Sequence, residues 1–241
     1  VRHSKQKNTT RMKYSKSILA AAVALLSIAS CKSQYEELLE SSDTKAKYNA
    51  AFEYFNSGRY SKASQLFESI SMAVSGTAQD DTVRYYTALS NYNQRDFYTA
   101  EANLAHFIEN YPASPFIESA KFLRVDCLYR ATLRYELDQK PTYTAITAIN
   151  EYKMNHIGSP NVAICDRMLE DLNERLDRKA YENARLYYKM EDYKASRVAF
   201  KNVLKDNADN IYREDILYYA AMSSYNYALN SVPAKQKERY M

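Results

Sequence analysis

The chain has 241 residues with 3 Gly, 5 Pro, 3 Cys, 3 His, 24 Tyr and no Trp. It lacks G-x-G-x-x-G and G-x-x-x-x-G-K, and its Cys and His nowhere take zinc-site spacing, so neither a nucleotide cofactor nor a metal is expected. Six of the 33 Lys+Arg (Arg2, Lys5, Lys7, Arg11, Lys13, Lys16) and none of the 29 Asp+Glu fall within residues 1–30; the remainder carries about −2 and gives no ground for a nucleic-acid partner.

Scarce Gly and Pro point to long helices rather than a sandwich or barrel. The first element is an address. Met12 is followed by Lys13, Lys16 and an apolar run, Ile18 to Ile28, too short to span a bilayer as a mature helix. It ends Ile28-Ala29-Ser30-Cys31, which resembles a bacterial lipobox, whose Cys is lipidated and becomes the first residue after cleavage. An ordinary signal with an incidental Cys is the plainer alternative. Residues 1–30 are thus expected to be a lipoprotein signal peptide, with 1–11 an over-long start. Residues 31–44 are expected to be lipid anchor and linker. Lys32 and Ser33 follow the anchor with no Asp, and the likeness to lipoproteins implies an outer membrane, periplasmic face.

Residues 45–241 repeat. YNAAFEYFNSGRYSKASQLFESI (48–70) aligns with YYTALSNYNQRDFYTAEANLAHF (85–107), and Ala51 recurs 37 residues later as Ala88, then as Val125. A fourth copy is centred on Ala184 and a fifth on Ala221. Each predicts two amphipathic helices around a short turn: Tyr60, Ala63, Phe67 and Ile70 on the second helix of the first copy, Phe97, Ala100, Leu104 and Phe107 in the next, and Tyr193, Ser196, Phe200 and Val203 in the fourth. Small residues permit close helix approach and aromatics fill the grooves between neighbours. The G-x-Y-x-x-A-x-x-x-F of the first copy, recurring in register, is the tetratricopeptide pattern, so the expected fold is an all-α tetratricopeptide-repeat superhelix, an α-solenoid of about five helix pairs. Val125 to Ala184 spans 59 residues. This predicts a longer third repeat between Tyr129 and Tyr143 and a long helix before Ala184. Cys127 and Cys165 can pair in an oxidising compartment, but read more readily as small buried hydrophobes on separate helices.

In the first helix of each pair, positions i, i+4 and i+7 share a face. One row reads Tyr48, Tyr85, Phe122, Tyr181 and Tyr218; another reads Phe55, Tyr92, Tyr129, Tyr188 and Tyr225. All ten are aromatic. Between them lie Phe52, Leu89, Asp126, Arg185 and Met222, and beside them Asn56, Asn93, Arg130, Lys189 and Asn226. The rings serve either as packing between neighbouring repeats or as a peptide-binding groove, with amides able to pair both N–H and C=O of an extended guest. Candidate groove residues are Tyr48, Phe52, Phe55, Asn56, Tyr85, Tyr92, Asn93, Phe122, Tyr129 and Arg130. Tyr181, Arg185, Tyr188 and Lys189 form a more basic candidate partner surface.

YEELLESSDTKAKYNAAFEYFNSGRYSKASQLFE, DFYTAEANLAHFIENYPASPFIESAKF, LDQKPTYTAITAINEY and LNERLDRKAYENARLYYKMEDYKAS together resemble the BamD family of outer-membrane protein assembly lipoproteins, in its Bacteroidetes-like form. The resemblance implies a non-enzymatic scaffold on the periplasmic face of the outer membrane. It implies a BamA-like barrel protein as partner of the C-terminal repeats, and unfolded β-barrel substrates or a companion lipoprotein bound by the N-terminal ones. Family members continue beyond KQKERY, so the last repeat is expected to be truncated.

No catalytic group is expected. Glu36/Glu37 and Glu170/Asp171 read as solvated-face charges, His106 and His156 as surface or helix-end residues, and no Ser sits in an elbow motif. Two rival readings are a glycan-capturing outer-membrane lipoprotein on a tetratricopeptide base and a periplasmic envelope coordinator. Absent Trp and short loops weigh against the first, and the lack of heptads before Tyr48 weighs against the second.

Overall fold

The computed structural model describes residues 34–240. The signal peptide and Cys31 lie outside the described residues. Among those residues eleven helices and no strands occur: α1 (Gln34–Glu40), α2 (Thr44–Asn56), α3 (Tyr60–Ile70), α4 (Asp80–Asn93), α5 (Phe97–Asn110), α6 (Ile117–Arg130), α7 (Lys140–Asn155), α8 (Val162–Lys189), α9 (Tyr193–Asp206), α10 (Arg213–Leu229) and α11 (Pro233–Tyr240). Sequential helices pack on one another, as in a tetratricopeptide-like α-solenoid. The chain divides into two compact units, one up to Thr87 and one from Ala88, and α4 runs through the division.

In the first unit α2 and α3 close on Ala51 and Ala63, both fully buried, with Leu66, Phe67, Ile70, Val74 and Val83 completing the core. The small residues bring the helix backbones together and Phe67 fills the space beside them. The stretch read as linker folds from Gln34 onward as α1. Tyr35 holds it: its ring meets Tyr54 edge-on at 5.4 Å, its hydroxyl reaches Gln65 Oε1 (3.0 Å), and Lys62 Nζ lies 4.7 Å from its ring centre.

The second unit repeats the scheme. Ala88, Ala100, Leu104 and Phe107 are buried, as are Ala184, Ser196, Phe200 and Val203. Ala221 differs: its position on α10 is exposed. An eight-residue helix, α11, follows α10, and it meets the end of α10 and the turn after it through Gln236, Arg239 and Tyr240, leaving Ala221 uncovered. The long spacing after Val125 divides between the segment 131–139 and the 28-residue α8. Cys127 and Cys165 are free and buried on α6 and α8.

The turns within copies one, two and four share one geometry. Gly58, Arg95 and Glu191 are left-handed, at φ 75°, 64° and 59°. In each, two N–H groups cap the preceding helix: Gly58 to Phe55 O and Arg59 to Tyr54 O, Arg95 to Tyr92 O and Asp96 to Asn91 O, Glu191 to Tyr188 O and Asp192 to Tyr187 O. This is the Schellman closure, which satisfies carbonyls that the helix leaves open. Asp96 and Asp192 then start the next helix by accepting from Thr99 N (3.2 Å) and Ala195 N (3.0 Å).

Candidate functional site

In the first unit, two predicted groove residues and the core ring Phe67 meet a ring that the sequence reading passed over. Tyr86 lies 4.8 Å from Phe52, 5.1 Å from Phe55 and 6.0 Å from Phe67. Tyr48 joins through Phe52 at 5.0 Å. Tyr85, its neighbour in sequence, is only 6% exposed, so its ring forms part of the wall. Asn56 ends α2 in solvent. The second unit builds the same cluster from its fourth copy: Tyr219 faces Tyr188 at 5.0 Å, Tyr181 at 6.4 Å and Phe200 at 5.9 Å. Tyr48, Phe52, Phe55, Phe67 and Tyr86 thus recur as Tyr181, Arg185, Tyr188, Phe200 and Tyr219. The Tyr-Tyr doublets at 85–86 and 218–219 carried this signal, but the second ring of each doublet makes the contact.

Of the candidate partner residues, Tyr181 is 6% exposed and stacks on Tyr212 at 4.7 Å. Arg185 lies over Tyr181 (5.9 Å) and Tyr219 (5.7 Å) and donates from Nη1 to Glu182 Oε1 at 3.2 Å. Lys189 is exposed, 3.8 Å from the same carboxylate. Tyr188 accepts from Asn226 Nδ2 at 3.5 Å, so one amide of the expected guest-binding row is engaged within the fold.

In its earlier repeats the second unit also holds two rungs of one design. Tyr92 Oη donates to Asp126 Oδ2 at 2.5 Å, and Arg130 Nε donates to the same oxygen at 2.5 Å. The guanidinium carbon of Arg130 lies 5.9 Å from the Tyr92 ring centre and 5.4 Å from that of Phe97. One repeat on, Tyr129 Oη donates to Asp171 Oδ2 at 2.8 Å, Arg175 Nη2 donates to the same oxygen, and Arg175 lies 5.7 Å from the Tyr129 ring centre. Both acids precede their arginines by one helical turn, the i, i+4 spacing that brings side chains together. Asp126 is 5% exposed, and a carboxylate at that depth needs charged and hydrogen-bonding partners, which Arg130 and Tyr92 supply. Burial, then the bond to Asp126, pushes the Tyr92 phenol up to about 12; Tyr129 moves the same way for the same two reasons with Asp171. The bond to Asp126 raises Arg130.

Asp171, read from sequence as a solvated-face charge, is 40% exposed and in addition accepts from Tyr129 and Arg175. Its role was legible only in the shared D-x-x-x-R spacing of Asp126/Arg130 and Asp171/Arg175. Asn93, next to Tyr92 in sequence, is half-buried, and Phe122 is half-buried with its ring 5.7 Å from Tyr152. His106 is exposed and His156 caps the end of α7, its ring tilted against that of Tyr152 at 4.7 Å. Among the described residues no group of three His, Cys, Asp or Glu is placed to hold a metal ion, and no helix is long and apolar enough to cross a membrane.

Paired helices, alanine contacts and inter-repeat aromatic clusters define a tetratricopeptide-like repeat protein, a class built to present surfaces to other polypeptides. No curated protein matches the sequence. The chain belongs to the outer membrane lipoprotein family YfiO, whose profile matches residues 40–240, in agreement with the BamD-like resemblance of its motifs.

Proposed function

We propose that the protein is a non-enzymatic scaffold of the outer-membrane β-barrel assembly machinery, of the Bacteroidetes-like BamD type. Residues 1–30 direct export. Cys31 carries the acyl chains, the stretch to residue 44 ties anchor to body, and residues 45–241 form the repeat domain on the periplasmic face. The aromatic surfaces around Tyr48, Phe52, Phe55, Tyr92, Asn93, Phe122, Tyr129 and Arg130 receive an extended segment of an unfolded barrel protein or of a companion lipoprotein. The surface at Arg185, Tyr188 and Lys189 meets a BamA-like barrel protein. The observation that carries this reading is the family match across residues 40–240.

Within this reading, burial and hydrogen bonding limit what each group can offer a guest. Tyr85 and Tyr181 are buried and act as packing, while the Tyr92 and Tyr129 hydroxyls are committed to Asp126 and Asp171. What these two tyrosines offer a guest is ring surface. The test is purification of the tagged full chain from detergent-solubilised membranes. Recovery of a large β-barrel protein with periplasmic repeats supports the assembly role. Recovery of a transporter-type barrel alone would turn the reading to glycan capture, and of peptidoglycan enzymes alone to envelope coordination.

A further inference from the structure

The two Tyr–Asp–Arg rungs are built alike but end differently. Arg175 uses both terminal amino groups inside the protein: Nη2 donates to Asp171, and Nη1 donates to Thr132 Oγ1 at 2.8 Å. Arg130 engages Asp126 through Nε instead. The Tyr92 hydroxyl is a further hydrogen-bonding neighbour of this guanidinium, but no carboxylate or carbonyl among the described residues accepts from its two terminal amino groups, and its side chain is 47% exposed. The first rung keeps an exposed guanidinium edge where Thr132 closes the second.

We propose that the open fork of Arg130 is a receptor for a single carboxylate presented by a polypeptide along these rungs, which deepens the guest-binding reading above and rests on it. Three observations fit that chemistry. First, the group is fixed before a ligand arrives: Asp126 holds one edge, and the rings of Tyr92 and Phe97 lie beside it at 5.9 and 5.4 Å. A guanidinium already ordered loses little freedom on binding. Second, two parallel N–H groups match the two oxygens of a carboxylate. Third, Asp126 already balances one unit of charge at this guanidinium. A singly charged carboxylate is accommodated as its second anion, whereas a dianion such as phosphate meets stronger repulsion from Asp126. The carboxylate comes either from a chain terminus or from an Asp or Glu side chain.

The test uses the full chain and three fluorescein-labelled octapeptides of alternating Tyr and Ser. One has a free C-terminal carboxylate, one a C-terminal amide, and one an amide with Glu as its last residue. A partly exposed ion pair contributes about 1 kcal/mol, so the free acid should bind about fivefold more tightly than the plain amide. Arg130→Lys, which keeps a cation beside Asp126 but loses the fork, should erase that ratio with the thermal melt retained. Arg175→Lys should leave the ratio intact. If the Glu peptide recovers the affinity, a side-chain carboxylate suffices; if it does not, the chain terminus is the ligand, and either result supports the receptor. Equal binding of acid and plain amide by the unaltered protein would overturn it while leaving the groove in place. If no peptide binds, the groove reading falls and acetate decides the receptor by NMR. The Arg130 Nε–H signal should then move at lower acetate concentration than that of Arg175, and parallel movement of the two signals would overturn the proposal.

Discussion

Arg95 and Glu191 occupy left-handed backbone, φ 64° and 59°, at the turn position where the first copy has Gly58 at 75°. A Cβ there presses on the neighbouring carbonyl and costs about 1 kcal/mol, which glycine avoids. Arg95→Gly and Glu191→Gly should each stabilise the protein by roughly 0.5–1 kcal/mol, since the Schellman bonds come from backbone and survive the change. Gly58→Ala should destabilise by a similar amount although open space surrounds the position, because the cost lies in φ and not in a clash. Denaturant midpoints of the three variants measure this; a fall for Arg95→Gly would mean that its side chain contributes more than the backbone loses. Tyr92 makes a different residue-scale case. Its phenol stays protonated in the fold to about pH 12, against about 10 in an unfolded chain. The folded pKa is the raised one, so the contribution is whole below pH 10 and is lost as pH climbs from 10 toward 12. Tyr92→Phe should lower stability at neutral pH by about 1–3 kcal/mol, because buried Asp126 loses a donor, and should flatten the decline above pH 10. Chemical denaturation from pH 7 to 11 distinguishes this from a simple packing loss, which would shift the whole curve equally.

The segment between α6 and α7 is where the repeat is stretched, and side chains rather than helix pairing hold it. Lys179 Nζ donates to the carbonyls of Tyr135 (3.0 Å), Glu136 (3.3 Å) and Leu137 (2.8 Å), and Arg178 lies over the Tyr135 ring at 4.3 Å. Buried Gln139 donates to the carbonyls of Arg134 and Leu137 and accepts from Thr142 Oγ1. Lys179→Met keeps much of the apolar stem but removes three donors. It should cost about 1–3 kcal/mol and speed amide exchange across residues 131–139 while α2 and α3 stay protected. Unchanged exchange in that segment would show that Gln139 alone suffices. This region also marks where the sequence stops being readable. Ala51, Ala63, Phe67, Ala100, Phe107 and Phe200 were legible as core because helix periodicity alone decides which face they occupy. Ala221 had the same spacing yet is exposed, since burial there depends on which helix covers the face, and α11 does not. Asp171 pairs with Tyr129 from 42 positions away, across the stretched repeat, so no constant period connects them. The ladder was legible as a row of rings, but its division into buried walls, the Tyr86 and Tyr219 hubs and acid-bonded rungs depends on neighbouring helices.

At the scale of the whole molecule, stability is assembled locally: separate hydrophobic clusters form around Phe67, Ile149 and Phe200. Repeat arrays add such neighbour terms, so a surface group can change without disturbing distant copies. Attachment to the membrane, on the proposal that Cys31 carries acyl chains, follows another logic. Each buried CH₂ contributes about 0.8 kcal/mol, and stable anchoring takes two chains or a chain with a second signal. Residues 31–241, at about −2, bring no compensating positive charge to a membrane surface, so electrostatics should not replace a lost anchor. Cys31→Ser should therefore move the body from the membrane pellet to the soluble fraction while its melt stays as before, because Cys31 precedes α1 and the core lies beyond it. Retention of Cys31→Ser in membranes through a high-salt wash would exclude the lipid anchor as the sole attachment. It would point instead to a protein partner holding the repeats, which solubilisation and co-purification of that variant would identify.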